Sequence, residues 1–507
     1  IKRWIDEGLV DGLRIDHPDG LRDPRQYLEQ LKELTGGAYV VVEKILEPGE
    51  RLPRDWATAG TTGYDALGVI DRLLTDPAGE YALTSLDARL RGGEPVHWDE
   101  MSHGTKRAMA DGALLAEVRR LARLVPEDAG LDRAVAEDAL AEILANFPVY
   151  RSYLPEGAEH LRAALDAARE QRPDLAGAIG TLGGLLGVDA TDEAGLGELA
   201  RRFQQTSGMV MAKGVEDTAF YRFPRLTSLT EVGGDPSHFA VTPAEAHAEL
   251  ARRAAEEPAA MTTLSTHDTK RSEAVRARIT VLAEAAEQWA GVVGTVKRLA
   301  EERGTRVGDG PLVNLVLQTA VGAWPLDQER LTDYALKAAR EAGVSTAWVD
   351  GDEDFEARLT RFLDHVLHDP EMRAVVEGFA EHVREVTGGR GADVVYDSVG
   401  TDTFDESLRA LRRRGMLVLF GGSSGQVPPF DLQRLAQNGS LYVTRPTLND
   451  YLRDEKERSW RAGELFDAVL EGTLSVRVAG TFPLAEARRA HEVLQSRTAQ
   501  GKLLLVP

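Results

Sequence analysis

The sequence predicts an α/β protein of more than one part, and three observations predict it. The first 70 residues alternate between short apolar runs and an amphipathic stretch, the pattern of parallel strand–helix–strand units. From about residue 76 to 255, alanine- and arginine-rich stretches carry apolar residues every three or four positions, as amphipathic helices do. Beyond about residue 375, short β-type runs punctuated by glycine return. A length of 507 residues allows about three or four domains.

Taken in order, Leu9 to Asp16 is a short apolar run ending on an acid and followed by the turn-rich His17-Pro18-Asp19-Gly20. Pro24 to Leu34 has helical spacing in Tyr27, Leu28, Leu31 and Leu34, and Gly36-Gly37 stops it. Ala38 to Val42 is a β-type run closing on Glu43. Helices are predicted over Ala110 to Leu124, Leu131 to Leu144, Ala158 to Glu170 and Pro243 to Glu257. Gly180 to Gly187 is glycine-rich like a dinucleotide loop, but no strand precedes it, so it reads as a connection between helices. Ala259 to Leu264 is strand-like and ends in Ser265-Thr266-His267-Asp268, with helical segments following to about residue 375. The last part offers β-type runs at Asp393 to Asp397, Met416 to Phe420 and Leu503 to Val506, with helices over Ser407 to Arg414 and Ala485 to Ser496.

Composition narrows the chemistry. Hydrophobic residues make up 43% and charged residues 28%, which is ordinary for a globular protein and excludes a disordered chain. No run approaches the roughly 20 apolar residues of a spanning helix. The absence of cysteine excludes disulfides, thiol nucleophiles and cysteine-ligated zinc. A formal charge of −22 repels phosphate backbones and acidic lipid. The expectation is a cytoplasmic protein with a neutral or weakly polar substrate, without nucleic-acid or membrane partners. Ile1 stands inside an amphipathic-looking segment, which leads to the further expectation of a fragment. Nothing in the sequence bears on oligomeric state.

Asp16, Glu43 and Asp268 each stand where an apolar run gives way to a loop. In a parallel barrel such positions converge on one face. Retaining glycosyl transfer uses such a set: one carboxylate attacks the anomeric carbon, and a second protonates the leaving oxygen and later acts as base. A third can stabilise the developing positive charge. Arg14 lies two residues before Asp16, on the same face of a strand, where it can orient that carboxylate. Two other uses stay open. Strand-end acids also cap helices or line loops, and His17, His267 and the aspartates could ligate a metal, although their spacing matches no metal motif.

Gly12-Leu13-Arg14-Ile15-Asp16-His17, Glu43-Lys44-Ile45-Leu46 and Ser265-Thr266-His267-Asp268 resemble the signature segments at strands four, five and seven of the α-amylase superfamily, glycoside hydrolase family 13. Within it, Gly60 to Asp65, Met211 to Arg222 and Thr269 to Glu273 are similar to the malto-oligosyltrehalose synthases. The resemblance covers roughly residues 1 to 375. It implies an incomplete TIM (β/α)8 barrel with a helical insertion at roughly 76–255, since the family's strands one to three and its strand-eight signature have no counterpart here. An unclosed barrel leaves strand edges and apolar interior facing water. The resemblance also implies Asp16 as nucleophile, Glu43 as acid/base and Asp268 as transition-state stabiliser, with Arg14, His17, Lys44, His267 and Lys213 as substrate contacts. For Lys213 and Glu216 a loop salt bridge is an equal alternative. The implied reaction turns the reducing-end α-1,4 bond of a malto-oligosaccharide into an α,α-1,1 bond without a cofactor. Met211 to Arg222 is expected as a loop closing the pocket.

Gly388 to Gly400, Leu419 to Gly425 and Gly501 to Pro507 instead resemble zinc-independent quinone oxidoreductases of the medium-chain dehydrogenase superfamily. The implication is a partial Rossmann-like α/β segment over 376–507, with a junction near residue 375 to 385. Gly421, Gly422 and Ser423 are candidate contacts for NADPH, or belong to a simple strand-to-loop turn. No glycine-rich first turn on a helix N-terminus precedes them to cradle a pyrophosphate. Two incomplete folds joined without a linker lead to the expectation of a mosaic chain whose functional part is the first, the alternatives being an inactive mosaic fragment or an NADPH:quinone oxidoreductase-like function of the last part.

Overall fold

Leu13 and Ile15 alternate with Gly12 and Arg14 along β1 (Gly12–Ile15), and Val40 and Val42 with Tyr39 and Val41 along β2 (Tyr39–Val42). The two strands run parallel in the register Gly12↔Tyr39 to Ile15↔Val42. The connection between them is the helix Pro24–Thr35. Asp23 caps its start by accepting the Gln26 N–H at 2.8 Å, and Gly36, at φ 68°, ends it. Leu28, Val40, Val42, Leu52 and Trp56 form the small core beneath this pair. In the computed structural model the described residues are 1–192, 195–386, 392–401, 403–422, 425–471, 476, 478–495 and 502–506. The chain divides into two units, Ile1–Thr387 and Gly388–Pro507.

In the first unit the sheet continues past β2 by single hydrogen bonds. Residues 59–62 run alongside β2: Ala59 N–H donates to Val40 O, Val42 N–H to Gly60 O, and Thr62 N–H to Val42 O. Met261 in turn donates to Thr61 O at 3.1 Å. The strand expected over Ala259 to Leu264 is instead a turn running into irregular chain without a ladder. Its Met261 carbonyl, which a neighbouring strand would use, accepts from the Arg253 guanidinium, and Asp65 holds that guanidinium at 2.6 Å. Met261 and Leu264 are exposed, so no layer covers its outer face. Glycine is required where the two segments meet: a side chain on Gly63, already at φ 102°, would stand 2.4 Å from Met261 O.

The helical region follows the predicted periodicity with shifted boundaries. Ala110 to Leu124 divides into Trp98–Asp111 and Leu115–Ala122 around Gly112, while Arg133–Ala145, Ala158–Gln171 and Pro243–Glu256 fall close to expectation. Gly180 to Gly187 is not a connecting loop. Most of it belongs to the helix Ala176–Leu185, because Ile179, Leu182 and Leu186 share one fully buried face that outweighs the helix-breaking glycines. Met211 to Arg222 is not a loop either. The helix Glu198–Met211 runs on into a π-helix, Ala212–Ala219, and a final turn, Phe220–Arg222. A second large core lies among the helices from Glu273 onward, with Trp289, Leu315, Leu359 and Phe362 buried at its centre. These helices continue to Pro370–Val386, through the stretch in which the junction is expected.

The second unit carries β3 (Ala392–Asp397), β4 (Leu411–Leu419) and β5 (Tyr442–Thr444) in one parallel sheet of that order. A separate parallel pair joins β6 (Val478–Pro483) to β7 (Lys502–Val506). The helix expected over Ser407 to Arg414 is instead Phe404–Arg409, because Leu411 turns into the core and pairs with Ala392 as the start of β4. The last predicted helix is Ala487–Gln495.

Candidate active site

The parallel register places two carboxylates side by side. Ile15 pairs with Val42, so the residues that follow them, Asp16 and Glu43, leave the sheet at the same level, and Glu43 N–H donates to Ile15 O at 2.8 Å. His17 then adopts a left-handed conformation, φ 47°, which turns its backbone N–H onto Glu43 Oε2 at 2.9 Å. Arg14 donates to Asp16 Oδ1 at 2.7 Å and stands 3.5 Å from Asp268 Oδ2, so one guanidinium bridges two of the three carboxylates.

Asp268 arrives on a turn closed by its own residues. Thr266 Oγ1 accepts from the Asp268 and Thr269 N–H groups, while Thr269 Oγ1 donates back to Thr266 O. The buried Glu231 carboxylate then accepts the Lys270 and Arg271 N–H groups at 2.7 and 2.9 Å. Tyr64 O–H lies 2.7 Å from Thr266 Oγ1 and donates to Asp268 Oδ2 at 3.3 Å, and His267 Nε2 stands 3.2 Å from the same oxygen.

Asp16, His17, Glu43, His267 and Asp268 line a cleft of about 570 Å³ together with Asp19, Tyr150, Glu216, Tyr221, Lys270 and Tyr334. Burial pushes the Glu43 carboxyl above the ordinary carboxylate range; the His17 N–H opposes this, the Asp16 charge adds to it, Arg14 opposes and Asp268 adds. Burial likewise raises Glu216 to about 7, although it accepts the Tyr150 O–H. Tyr64 is pushed up to about 12, first by burial.

The expected residues Arg14, Asp16, His17, Glu43, His267 and Asp268 are thus brought together. Lys44 is not among them. It is fully buried, 3.3 Å from Asp19 Oδ2 and 3.1 Å from Glu50 Oε1, and donates to Ile45 O, because successive residues leaving a strand point to opposite sides. The Lys213 ammonium is exposed and pairs with Asp217 at 2.6 Å, the salt-bridge alternative. Tyr64 lies within the Gly60 to Asp65 segment and is legible there. Tyr334 comes from the distant helix Gln328–Ala342 and Tyr150 from the connection between Arg133–Ala145 and Ala158–Gln171, and neither carries a local signal. Among the described residues no group of three or more histidine or acidic side chains could hold a metal ion.

In the second unit, Gly421 packs so closely that an added Cβ would meet Ser398 O at 2.2 Å, and Gly422 lies over Gly425 O. Asp397 closes the neighbouring turn by accepting from Val399, Gly400, Thr403 and Ser407. Gly421 thus stands too close to the Ser398 backbone to carry a side chain, while Gly422 has room for one. Ser423 lies outside the described residues.

Residues 363–505 match the family model for zinc-binding dehydrogenases. Over 391 residues, 76% of this chain and 49% of the relative, the sequence is 41% identical to a Mycobacterium tuberculosis protein provisionally described as a maltooligosyl trehalose synthase. The solved structure of maltooligosyltrehalose synthase from Arthrobacter ramosus is 54% identical with a TM-score of 0.71, over 75% of this chain and 48% of that one. Over 133 residues, 26% of this chain and 41% of the relative, the sequence is 48% identical to quinone oxidoreductase 1 of Escherichia coli K12. The chain spans about half the length of the trehalose synthases it matches. Both resemblances read from the residues are borne out, each for its own part. Among the described residues no helix is long and apolar enough to cross a membrane.

Proposed function

We propose that the first unit carries the machinery for an intramolecular transglucosylation on malto-oligosaccharides, turning the reducing-end α-1,4 bond into an α,α-1,1 bond. The observation that carries the reading is the convergence of Asp16, Glu43 and Asp268 around Arg14 in one cleft. The parallel pair β1–β2 and the hydrogen bonds that continue it to residues 59–62 support neighbouring staves of a TIM (β/α)8 barrel, of which the chain spans part. In this reading the sugar-handling domain occupies about residues 1–375, with its helical insertion at 76–255, and the oxidoreductase-like segment about 376–507.

Glu43, raised by burial, holds the proton it gives to the glycosidic oxygen as the Asp16 carboxylate attacks the anomeric carbon. The bond between that anomeric carbon and the glycosidic oxygen breaks, the oxygen leaves protonated as the 4-hydroxyl of the terminal glucose, which is released within the cleft, and the rest of the chain is held through its anomeric carbon as an ester of Asp16. The C1 hydroxyl of the glucose then attacks the ester, Glu43 takes its proton, and Asp16 leaves as a carboxylate. Asp268, held by Tyr64 and near Arg14, faces the positive charge that develops in both steps. Water must be kept out while the glucose turns over. The cleft wall made by Glu216, Tyr221 and Tyr334 stands where it can do this.

The test is maltopentaose consumption with loss of reducing ends and little free glucose. Glu43→Gln is expected to slow it at least about 100-fold. Stoichiometric glucose would make the enzyme a hydrolase, and no consumption would end the reading.

The match of the second unit favours a second reading, quinone reduction by NADPH. The close packing of Gly421 on Ser398 speaks against it, and NADPH is expected to remain unoxidised when mixed with the chain and a quinone.

A further inference from the structure

The turn that follows Asp16 is held from three directions. Four successive carbonyls, those of Asp19, Gly20, Leu21 and Arg22, accept from side chains of the helical region: Arg151 takes the first, third and fourth, and Gln205 takes the second at 2.8 Å. The Asp19 carboxylate, itself buried, accepts the Tyr153 O–H on one oxygen and faces the Lys44 ammonium on the other at 3.3 Å. Lys44 is the residue next to Glu43, and Asp19 stands three residues beyond Asp16. A buried ion pair therefore ties the chain segment of one catalytic carboxylate to the turn of the other. The backbone N–H that reaches Glu43 belongs to His17, inside that same turn.

From this arrangement we infer that Lys44 and Asp19 form a positioning pair, which holds the left-handed turn at His17 and through it the His17 N–H on Glu43. The inference rests on the reading of Glu43 as proton donor, and concerns a pair of which Asp19 borders the cleft and Lys44 lies buried behind it. Lys44 is over-determined for a residue that merely fills space. It faces Asp19, Glu50 and the ring of Tyr150, and its ammonium is fully buried. Burial lowers its proton affinity, but Asp19 and Glu50 outweigh this and raise it, so the charge persists. A pair of this kind is costly to break on one side only.

The groups facing Glu43 are His17, Asp16, Arg14, Asp268, Tyr64 and Glu216. Of these, the His17 N–H is the contact that the pair controls. When it is lost, the ionised form of Glu43 loses a donor and its proton affinity rises.

The test uses the full chain with Lys44→Met, which keeps the volume and removes the charge, and Lys44→Arg as the conservative rescue. Two measurements are made: the carboxyl-carbon titration of labelled glutamate, in which the Glu43 signal is the one missing from Glu43→Gln, and maltopentaose kinetics. In Lys44→Met the Glu43 midpoint is expected to move upward, and kcat to fall by about 10- to 100-fold with KM within about twofold. Lys44→Arg should recover most of both. An unmoved midpoint in a folded variant overturns the inference, as does a rise in KM alone. If Lys44→Met does not fold, Tyr153→Phe removes only the second partner of Asp19 and carries the same expectation at smaller size. A shifted midpoint in a chain that leaves maltopentaose untouched would uphold the positioning pair and sink the proposed reaction.

Discussion

Glu216 shows how one side chain can record its surroundings in a pH dependence. Its carboxyl sits at the cleft wall, accepts the Tyr150 O–H, and is raised by burial to about 7 from an ordinary 4.5. An acid whose folded value lies above its unfolded one contributes stability at low pH, and that contribution is lost as pH rises through the folded value. Glu216→Gln keeps an acceptor for Tyr150 and abolishes the titration. Relative to the parent, the variant should gain stability between about pH 4.5 and 7 and level off above, by at most about 3 kcal/mol because the residue keeps some surface. Urea unfolding at pH 4.5 and 8 checks this, and a constant difference would show that Glu216 is not buried as described. The same scale shows what spacing can and cannot reveal. Arg14 and Asp16 are recognisable as a pair because strand residues two apart share a face. Lys44 invites misreading, because adjacency to Glu43 in sequence is what sends it to the opposite side.

Among elements, the π-helix Ala212–Ala219 has the largest consequence for the site, because its extra residue per turn carries Glu216 and Asp217 to the cleft. It is seated against the helix Trp98–Asp111 at Gly214, where an added Cβ would stand 2.7 Å from Lys106 Cα and 2.8 Å from its Cγ. Lys106 cannot step aside, since it is buried and donates to Phe147 O at 2.9 Å. Gly214→Ala should therefore cost about 1–3 kcal/mol by overpacking and lower activity by displacing Glu216. A denaturant midpoint equal to the parent's would show that the two helices can separate freely. Alanine and leucine periodicity made most helices of this region legible in the sequence. The π-helix was not, because a π-turn differs from an α-turn by one residue of register that composition does not mark. The segment Ala259–Leu264 reads as a strand for the converse reason. Its residues suit a strand, but the side chain of Arg253, eight residues earlier, occupies the carbonyl a ladder would need.

At the scale of the whole molecule, each unit holds its own apolar core: Trp289, Leu315 and Phe362 belong to the first, and Phe404, Leu408 and Leu417 to the second. Units with separate cores unfold as separate transitions. Calorimetry of the full chain should show two, and maltopentaose at about 100 times its Kd should stabilise only that of the first unit, by about 2.7 kcal/mol. A shift of neither transition would remove the sugar site. The formal charge of −22 fits a neutral substrate, whose binding needs no attraction between opposite charges.

Local pattern was sufficient for the two-part character of the chain, for the β1–helix–β2 unit, and for the positions of Asp16, Glu43 and Asp268 at the ends of apolar runs. Alternation and helical spacing are properties of a few consecutive residues, and a parallel pair converts them directly into a shared level for Asp16 and Glu43. Long-range packing settled the rest. It buried Lys44 against Asp19 and Glu50, brought Tyr150 to Glu216 and closed Gly421 onto Ser398. Each of these contacts joins segments whose meeting depends on the fold around them, and burial sets both the partner and the charge state once they meet.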